Sequence, residues 1–251
     1  IIVNCFNGEK YLREAIDSIY IQSYDYWEII FWDNASTDRS AEIAKSYDAR
    51  LKYFLASETT SLGEARVLAI NESQGEYLSF LDCDDLWLYD KIEKQVNLFS
   101  ASKSNVGFIY SRCEVISKDG KTLGQMNREN EYLLSGDIFA ELVKTNFIPF
   151  VSVMILREKY YEVGGFPKDY KNALDYDLFL RLSYKYEILS INEVLCKYRE
   201  HGINYSHSLY VSGAQESVNS VANFLPDYRA QEGLRYQYCL LYTSDAADEG
   251  L

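Results

Sequence analysis

The chain opens on an apolar run, residues 1–5 (IIVNC), and then changes period. Leu12, Ala15, Ile16 and Ile19 recur at the i, i+3, i+4, i+7 spacing of an amphipathic helix. Residues 27–32 (WEIIFW) form a second apolar run ending at Asp33, after which Ser36 or Thr37 is placed to cap a helix carrying Ala41, Ile43 and Ala44. A strand over 51–55, a helix over 62–73, a strand over 77–81 and a helix from about 89 to 101 complete the first hundred residues. Alternation at this spacing predicts βαβ units and a mainly parallel sheet with helices on both faces. In such sheets ligands bind beyond the carboxyl ends of the strands.

After residue 105 the pattern loosens. It predicts a strand over 106–116, a hairpin turn at Lys118-Asp119-Gly120 with a return from Thr122, and a capped helix over 135–144. A buried strand over 150–156, a helix over 175–186 and a last strand over 193–199 follow. The expected fold class is α/β: one Rossmann-like domain with a mainly parallel central sheet and a mixed second half, divided as 1–105 and 106–205. Residues 206–238 are expected to form a helical extension that continues in the native protein. The tail from 239 to 251, beginning CLLYTSDAADE, resembles a translated sequencing adapter and is set aside from the fold prediction.

Composition narrows the function classes. A formal net charge of −13, from 38 acidic and 25 basic residues, lacks the basic footprint of a nucleic-acid binder. It leaves room for a phosphorylated ligand held through a metal. The five cysteines (5, 83, 113, 196 and 239) form no CxxC, so neither a zinc site nor a disulfide framework is indicated, and a reducing, cytoplasmic compartment is the expectation. No signal peptide is visible, and the longest apolar stretch, FIPFVSVMIL, is too short to span a bilayer. Any membrane association is expected to be peripheral.

The chemistry concentrates in FLDCDDLW, which drives an apolar strand into Asp82, Asp84 and Asp85. Carboxylates this close ionise together only when a cation or strong donors compensate them. Either a cation sits there or the segment is a solvated turn with an acidic helix cap. Asn4 to Asn7, Asp33 and Asp82 to Asp85 all stand at predicted strand carboxyl ends, and three such ends converging on one crevice exceeds what a solvated turn predicts.

Read in order, IIVNCFNGEKYL, IIFWDNASTD, SLGEARVLAINESQGEYLSFLDCDD, GGFPKDYKNALDYDLFLRL and YREHGINYS resemble the family 2 glycosyltransferases of the GT-A fold, from residue 1 to about 206. The resemblance implies transfer of a sugar, with inversion and with Mg²⁺ or Mn²⁺, from a nucleotide-diphosphate donor, expected to be UDP-linked. The implied acceptor is a glycan or lipid-linked hydroxyl in surface polysaccharide synthesis. Asp82-Cys83-Asp84 matches the family's DxD: Asp84 is implied as metal ligand and Asp82 as a contact to the ribose, or to the metal through water. Asp85 is expected to cap the next helix or orient its neighbours. Asp33 is implied to accept a hydrogen bond from the nucleobase, Asn4 and Phe6 to contact the base, and Arg66 to grip a base carbonyl or phosphate. Val67 follows Arg66 where many members have Asn. Asp175 is implied as the general base, with Asp177 in reserve; Leu174 replaces the acidic residue that precedes the base in the family. Arg199 is implied at the diphosphate and His201 at the metal. Two other readings stay open: a catalytically degenerate nucleotide-sugar-binding scaffold, and Mg²⁺-dependent phosphoryl transfer. A dinucleotide dehydrogenase is disfavoured, because no GxGxxG follows the first strand.

Overall fold

The computed structural model describes residues 1–102, 105–126, 132–202 and 210–248. Strands β1 (Ile2–Cys5), β2 (Ile29–Asp33) and β3 (Leu51–Leu55) pair in parallel in the order β1-β2-β3, with Cys5 opposite Asp33 and Asp33 opposite Leu55. Helix α1 (Leu12–Tyr20) packs its predicted stripe, Leu12, Ala15, Ile16 and Ile19, fully into the core, and α2 (Ser40–Ala44) buries Ile43 and Ala44. Helix α3 (Leu62–Asn71) starts at Ser61, whose Oγ accepts the Glu64 amide at 3.2 Å.

Strand β4 (Tyr77–Ser79) begins a second, mixed sheet. Its continuation joins the first sheet, since Phe80 bridges Ile2 in parallel and the Leu81 amide donates to the Ile2 carbonyl at 3.0 Å. Strand β5 (Leu86–Trp87) leads to α4 (Lys91–Ala101), β6 (Val106–Ser117) and β7 (Thr122–Gln125). Then come α5 (Phe139–Leu142), a 3-10 turn (Phe150–Ser152), β8 (Met154–Leu156), α6 (Arg157–Glu162), α7 (Leu174–Lys185) and β9 (Glu187–Glu200). The second sheet is ordered β4-β8-β6-β9-β5, with β6 and β9 parallel. Helices α8 (Tyr210–Ala222) and α9 (Tyr228–Asp248) close the chain, so helix runs across position 239. Among the described residues no helix is long and apolar enough to cross a membrane.

Period-two alternation splits the core between the two faces of the sheet. Ile2, Ile30 and Phe108 face one cluster with Phe80 and Phe179, whereas Val3, Phe31 and Ile109 face another with Ile16 and Trp87. Four predicted elements differ. Neither Ser36 nor Thr37 caps α2, which starts at Ser40 after Arg39 with no side-chain cap, because Ser36 Oγ is taken up by the Asn7 amide. The 135–144 helix shrinks to α5 because Gly136, at φ +89°, exchanges backbone hydrogen bonds with Ile188 and draws the preceding chain against the sheet. The 150–156 strand begins with the 3-10 turn, which stacks Phe150 on Phe80 at 4.8 Å. Strand β9 starts at Glu187 rather than 193, because pairing along β6 carries it through the polar stretch that hides it from pattern reading. Helix α6 is not predicted, since Tyr160 is its sole buried residue.

Candidate active site

The carboxyl ends of β1, β2 and β4 open on a cleft of about 1110 Å³. Asn4, Phe6, Arg66, Asp82, Asp84, Asp175 and His201 all line it. Asp33 and Arg199 do not.

The loop after β1 is braced by the loop after β2. Asn7, at φ +54°, accepts the Thr37 amide on Oδ1 at 2.8 Å and donates its own amide to Ser36 Oγ at 3.0 Å. This leaves Phe6 53 % exposed on the cleft rim, available for stacking. Asn4 is nine-tenths buried, and its Nδ2 has no hydrogen-bond partner among the described residues, an unmet donor on the cleft wall. Asp33 is fully buried: Oδ1 accepts the Ser36 amide at 2.7 Å and Oδ2 the Tyr53 hydroxyl at 2.6 Å. The cleft residue at this strand end is instead Asn34, fixed by Thr60.

Each aspartate after β4 has its own partner. Asp82 accepts from Arg66 Nη2 at 3.1 Å, and the buried guanidinium lies 4.1 Å over the Phe150 ring. Asp84 Oδ2 is 2.7 Å from His201 Nε2, and the imidazole stacks on Tyr11 at 5.5 Å. Burial, and then the neighbouring Asp82, push the Asp84 carboxyl above its ordinary value. Asp85 caps no helix. It is buried and accepts the Arg199 amide at 2.8 Å, fastening the acidic loop to the end of β9, and burial raises its carboxyl well above the usual range. Close approach keeps a glycine at position 8, where a Cβ would stand 2.7 Å from Cys83 Sγ in the middle of the acidic run.

Arg199 departs from expectation. Its guanidinium is buried behind the loop, donating from Nε to the Asp84 carbonyl at 2.8 Å and from Nη2 to Glu14 at 2.7 Å. Arg199 therefore shapes the acidic loop from within. Residues 203–206 of the YREHGINYS segment lie outside the described residues.

Asp175 is the second residue of α7, half-buried and facing the cleft. The N-cap of α7 is Ala173, so Asp175 is not a capping side chain. Burial raises its carboxyl, and the positive charge of Arg66 opposes that shift. The reserve candidate, Asp177, is buried against Arg181 (2.8 Å) and does not line the cleft. Sequence reading missed Tyr11, a cleft residue whose hydroxyl is buried without a partner among the described residues, because an aromatic at a helix start carries no chemical signature.

A family model, Glycosyl transferase family 2, matches residues 1–164. The chain belongs to that family. This glycosyltransferase is 29 % identical over 231 residues to an uncharacterized glycosyltransferase of Rickettsia typhi, covering 92 % of this chain and 69 % of the relative. It is 29 % identical over 203 residues to TuaG of Bacillus subtilis, a putative teichuronic acid biosynthesis glycosyltransferase (79 % and 77 %). A further relative, from Rickettsia bellii, is far longer, and the chain spans 34 % of it. The fold matches S. aureus TarS residues 1–349 in complex with UDP-GlcNAc at a TM-score of 0.73, with 18 % identity, over 94 % of this chain and 70 % of that one. It also matches the mannosyltransferase PcManGT of Pyrobaculum calidifontis, in complex with GDP-Man and Mn²⁺, at 0.67 and 21 % identity (98 % and 74 %). The architecture is accordingly of the GT-A type, and family membership sets aside the phosphoryl-transfer reading.

Among the described residues no group of three or more His, Cys, Asp or Glu is arranged to hold a metal ion. Asp84 and His201 lie 2.7 Å apart on the cleft wall, so at most two such side chains stand together there. That suits a hard divalent cation which takes one or two protein ligands and completes its shell with phosphate oxygens and water.

Proposed function

We propose that this glycosyltransferase transfers a sugar, with inversion, from a UDP-linked donor to an acceptor hydroxyl in surface polysaccharide synthesis, and that Asp175 is its base. One observation carries the reading: the acidic loop, with Asp82 bonded to Arg66, and Asp175 line a single cleft, which brings a leaving-group side and a base side together. The UDP preference draws on the ligand of the TarS structure, and the polysaccharide context on the description of TuaG.

The donor's base lies by Asn4, Phe6 and Asn34, with Asp33 holding that loop from behind. The diphosphate runs toward Asp84 and His201, which would hold Mg²⁺ or Mn²⁺. When bound, the cation neutralises charge that develops on the departing diphosphate. Asp82 faces the donor with its charge balanced by Arg66. Asp175 removes the acceptor hydroxyl proton while the oxygen bonds to the anomeric carbon, and the bond to the nucleoside diphosphate breaks on the opposite face. A carboxyl raised by burial is a stronger base than an exposed one, which suits that task. The acceptor is a glycan or lipid-linked hydroxyl, and the protein works in the cytoplasm, peripherally on the membrane.

Calorimetry of UDP and of GDP, with and without Mn²⁺, tests the donor side. UDP is expected to bind with Mn²⁺, and Asp84→Ala to abolish that binding. Binding that ignores both the metal and Asp84 refutes the assignment.

A further inference from the structure

Helix α7 carries Asp175 in its first turn, yet no side chain of its own caps that turn. Leu174, where the family resemblance leads one to expect an acid, is buried in the core, and Ala173 offers no capping side chain. The anchor comes from α8. Glu216 accepts three consecutive backbone amides on one carboxylate: Lys171 on Oε1 at 2.8 Å, and Asn172 and Ala173 on Oε2 at 2.9 Å each. The carboxylate satisfies the amide of Ala173, which the helix start leaves open, together with the two loop amides before it, and it sits near the positive end of the α7 dipole.

The rest of that α8 face is shaped to the same loop. A Cβ on Gly213 would stand 2.3 Å from Asn172 Nδ2, so glycine lets α8 approach closely. Ser220, one turn beyond Glu216, lies 3.4 Å from the Tyr170 hydroxyl. Lys171, Asn172, Ala173 and Asp175 all line the cleft, so the clamped segment is part of its wall.

We infer that Glu216 is the positioning residue for Asp175: clamping the amides of 171–173 fixes the first turn of α7 and the aim of the Asp175 carboxylate into the cleft. The inference rests on the reading of Asp175 as base. Glu216 itself touches no reacting atom. Angular slack in a base slows the chemical step without changing donor affinity, and a misplacement of about 1 Å costs as much as a hundredfold in rate.

The test uses the full chain with Glu216→Gln, which keeps the shape but brings an NH₂ group against amide donors, and with Asp175→Asn. Nucleotide release is followed with Mn²⁺ on the best turned-over of UDP-GlcNAc, UDP-glucose and GDP-mannose, and amide hydrogen exchange is followed without any donor. Expected for Glu216→Gln are exchange at 171–173 faster by about tenfold or more, kcat lower by about ten- to a hundredfold, and a donor KM within about twofold of wild type. Should Glu216→Gln fail to fold, Gly213→Ala, whose Cβ presses on the Asn172 side chain (Nδ2 at 2.3 Å, Cγ at 3.0 Å) with Glu216 intact, is expected to give the same split in weaker form. Unchanged exchange at 171–173 overturns the clamp. Unchanged kcat while Asp175→Asn is inactive overturns the positioning role alone. A fully active Asp175→Asn overturns the base reading, and this inference with it.

Discussion

Lys91, the first residue of α4, is completely buried, with its ammonium donating to Gln95 Oε1 at 2.7 Å and lying 4.1 Å from the Trp87 ring centre. No carboxylate pairs with it in any described contact, and burial lowers its pKa from 10.5 to about 7. Because the unfolded chain holds this proton up to 10.5, folding is penalised below pH 7 and the penalty fades as pH rises from 7 to 10.5. The full drop corresponds to about 5 kcal/mol, of which about 4 remains at pH 7 and about 1 at pH 10. Lys91→Met keeps the unbranched stem against Trp87 but leaves Gln95 Oε1 without its donor, at about 1–3 kcal/mol. The variant is therefore expected to be more stable than wild type at pH 7, by about 1–3 kcal/mol, and to lose about 3 kcal/mol of that relative advantage by pH 10. Urea denaturation of both proteins at pH 7, 8, 9 and 10 measures this, and groups remote from Lys91 that titrate in the range cancel in the difference. A difference that stays constant with pH refutes the argument, since it means the Lys91 ammonium is hydrated or compensated. The consequence reaches the cleft: Gln95 also donates to the Ser152 carbonyl at 2.8 Å, in the turn that presents Phe150 to Arg66.

Two further outcomes concern the site. Asp175→Asn is expected to lower kcat by about 10²–10⁴ while retaining UDP binding, and wild-type activity is expected to fall on acidification through a midpoint above the ordinary 3.8, because the base works deprotonated and burial raises it. A pH–rate profile with no acid limb above that value counts against Asp175. Gly8→Ala is expected to weaken Mn²⁺-dependent UDP binding by about tenfold, as its Cβ, 2.7 Å from Cys83 Sγ and 2.9 Å from Cys5 Sγ, displaces Cys83 between Asp82 and Asp84, and Cys83→Ala is expected to recover part of it in the double variant. No recovery in calorimetry of the double variant means the damage lies elsewhere.

Local pattern determined a good deal of this protein. The period-3.6 stripe of α1, the apolar runs of β1 to β3 and the Ser61 cap of α3 are short-range decisions, made by residues within a turn or two of one another. The acidic run after β4 was legible for the same reason, since three carboxylates in four positions announce a compensating charge before any fold is known. Tertiary structure decided what sequence distance hides. Asp33 and Arg199 carry the expected chemistry at the expected places, yet Tyr53, Glu14 and the Asp84 carbonyl take up their polar atoms and turn them away from the cleft. Strand β9 passes through polar residues because β6 supplies its hydrogen bonds, and the first turn of α7 is held by a carboxylate 43 residues further along. Propensity and periodicity act over a few residues, whereas the partner that satisfies a buried amide or charge is chosen by packing, and packing exists only once the chain has folded.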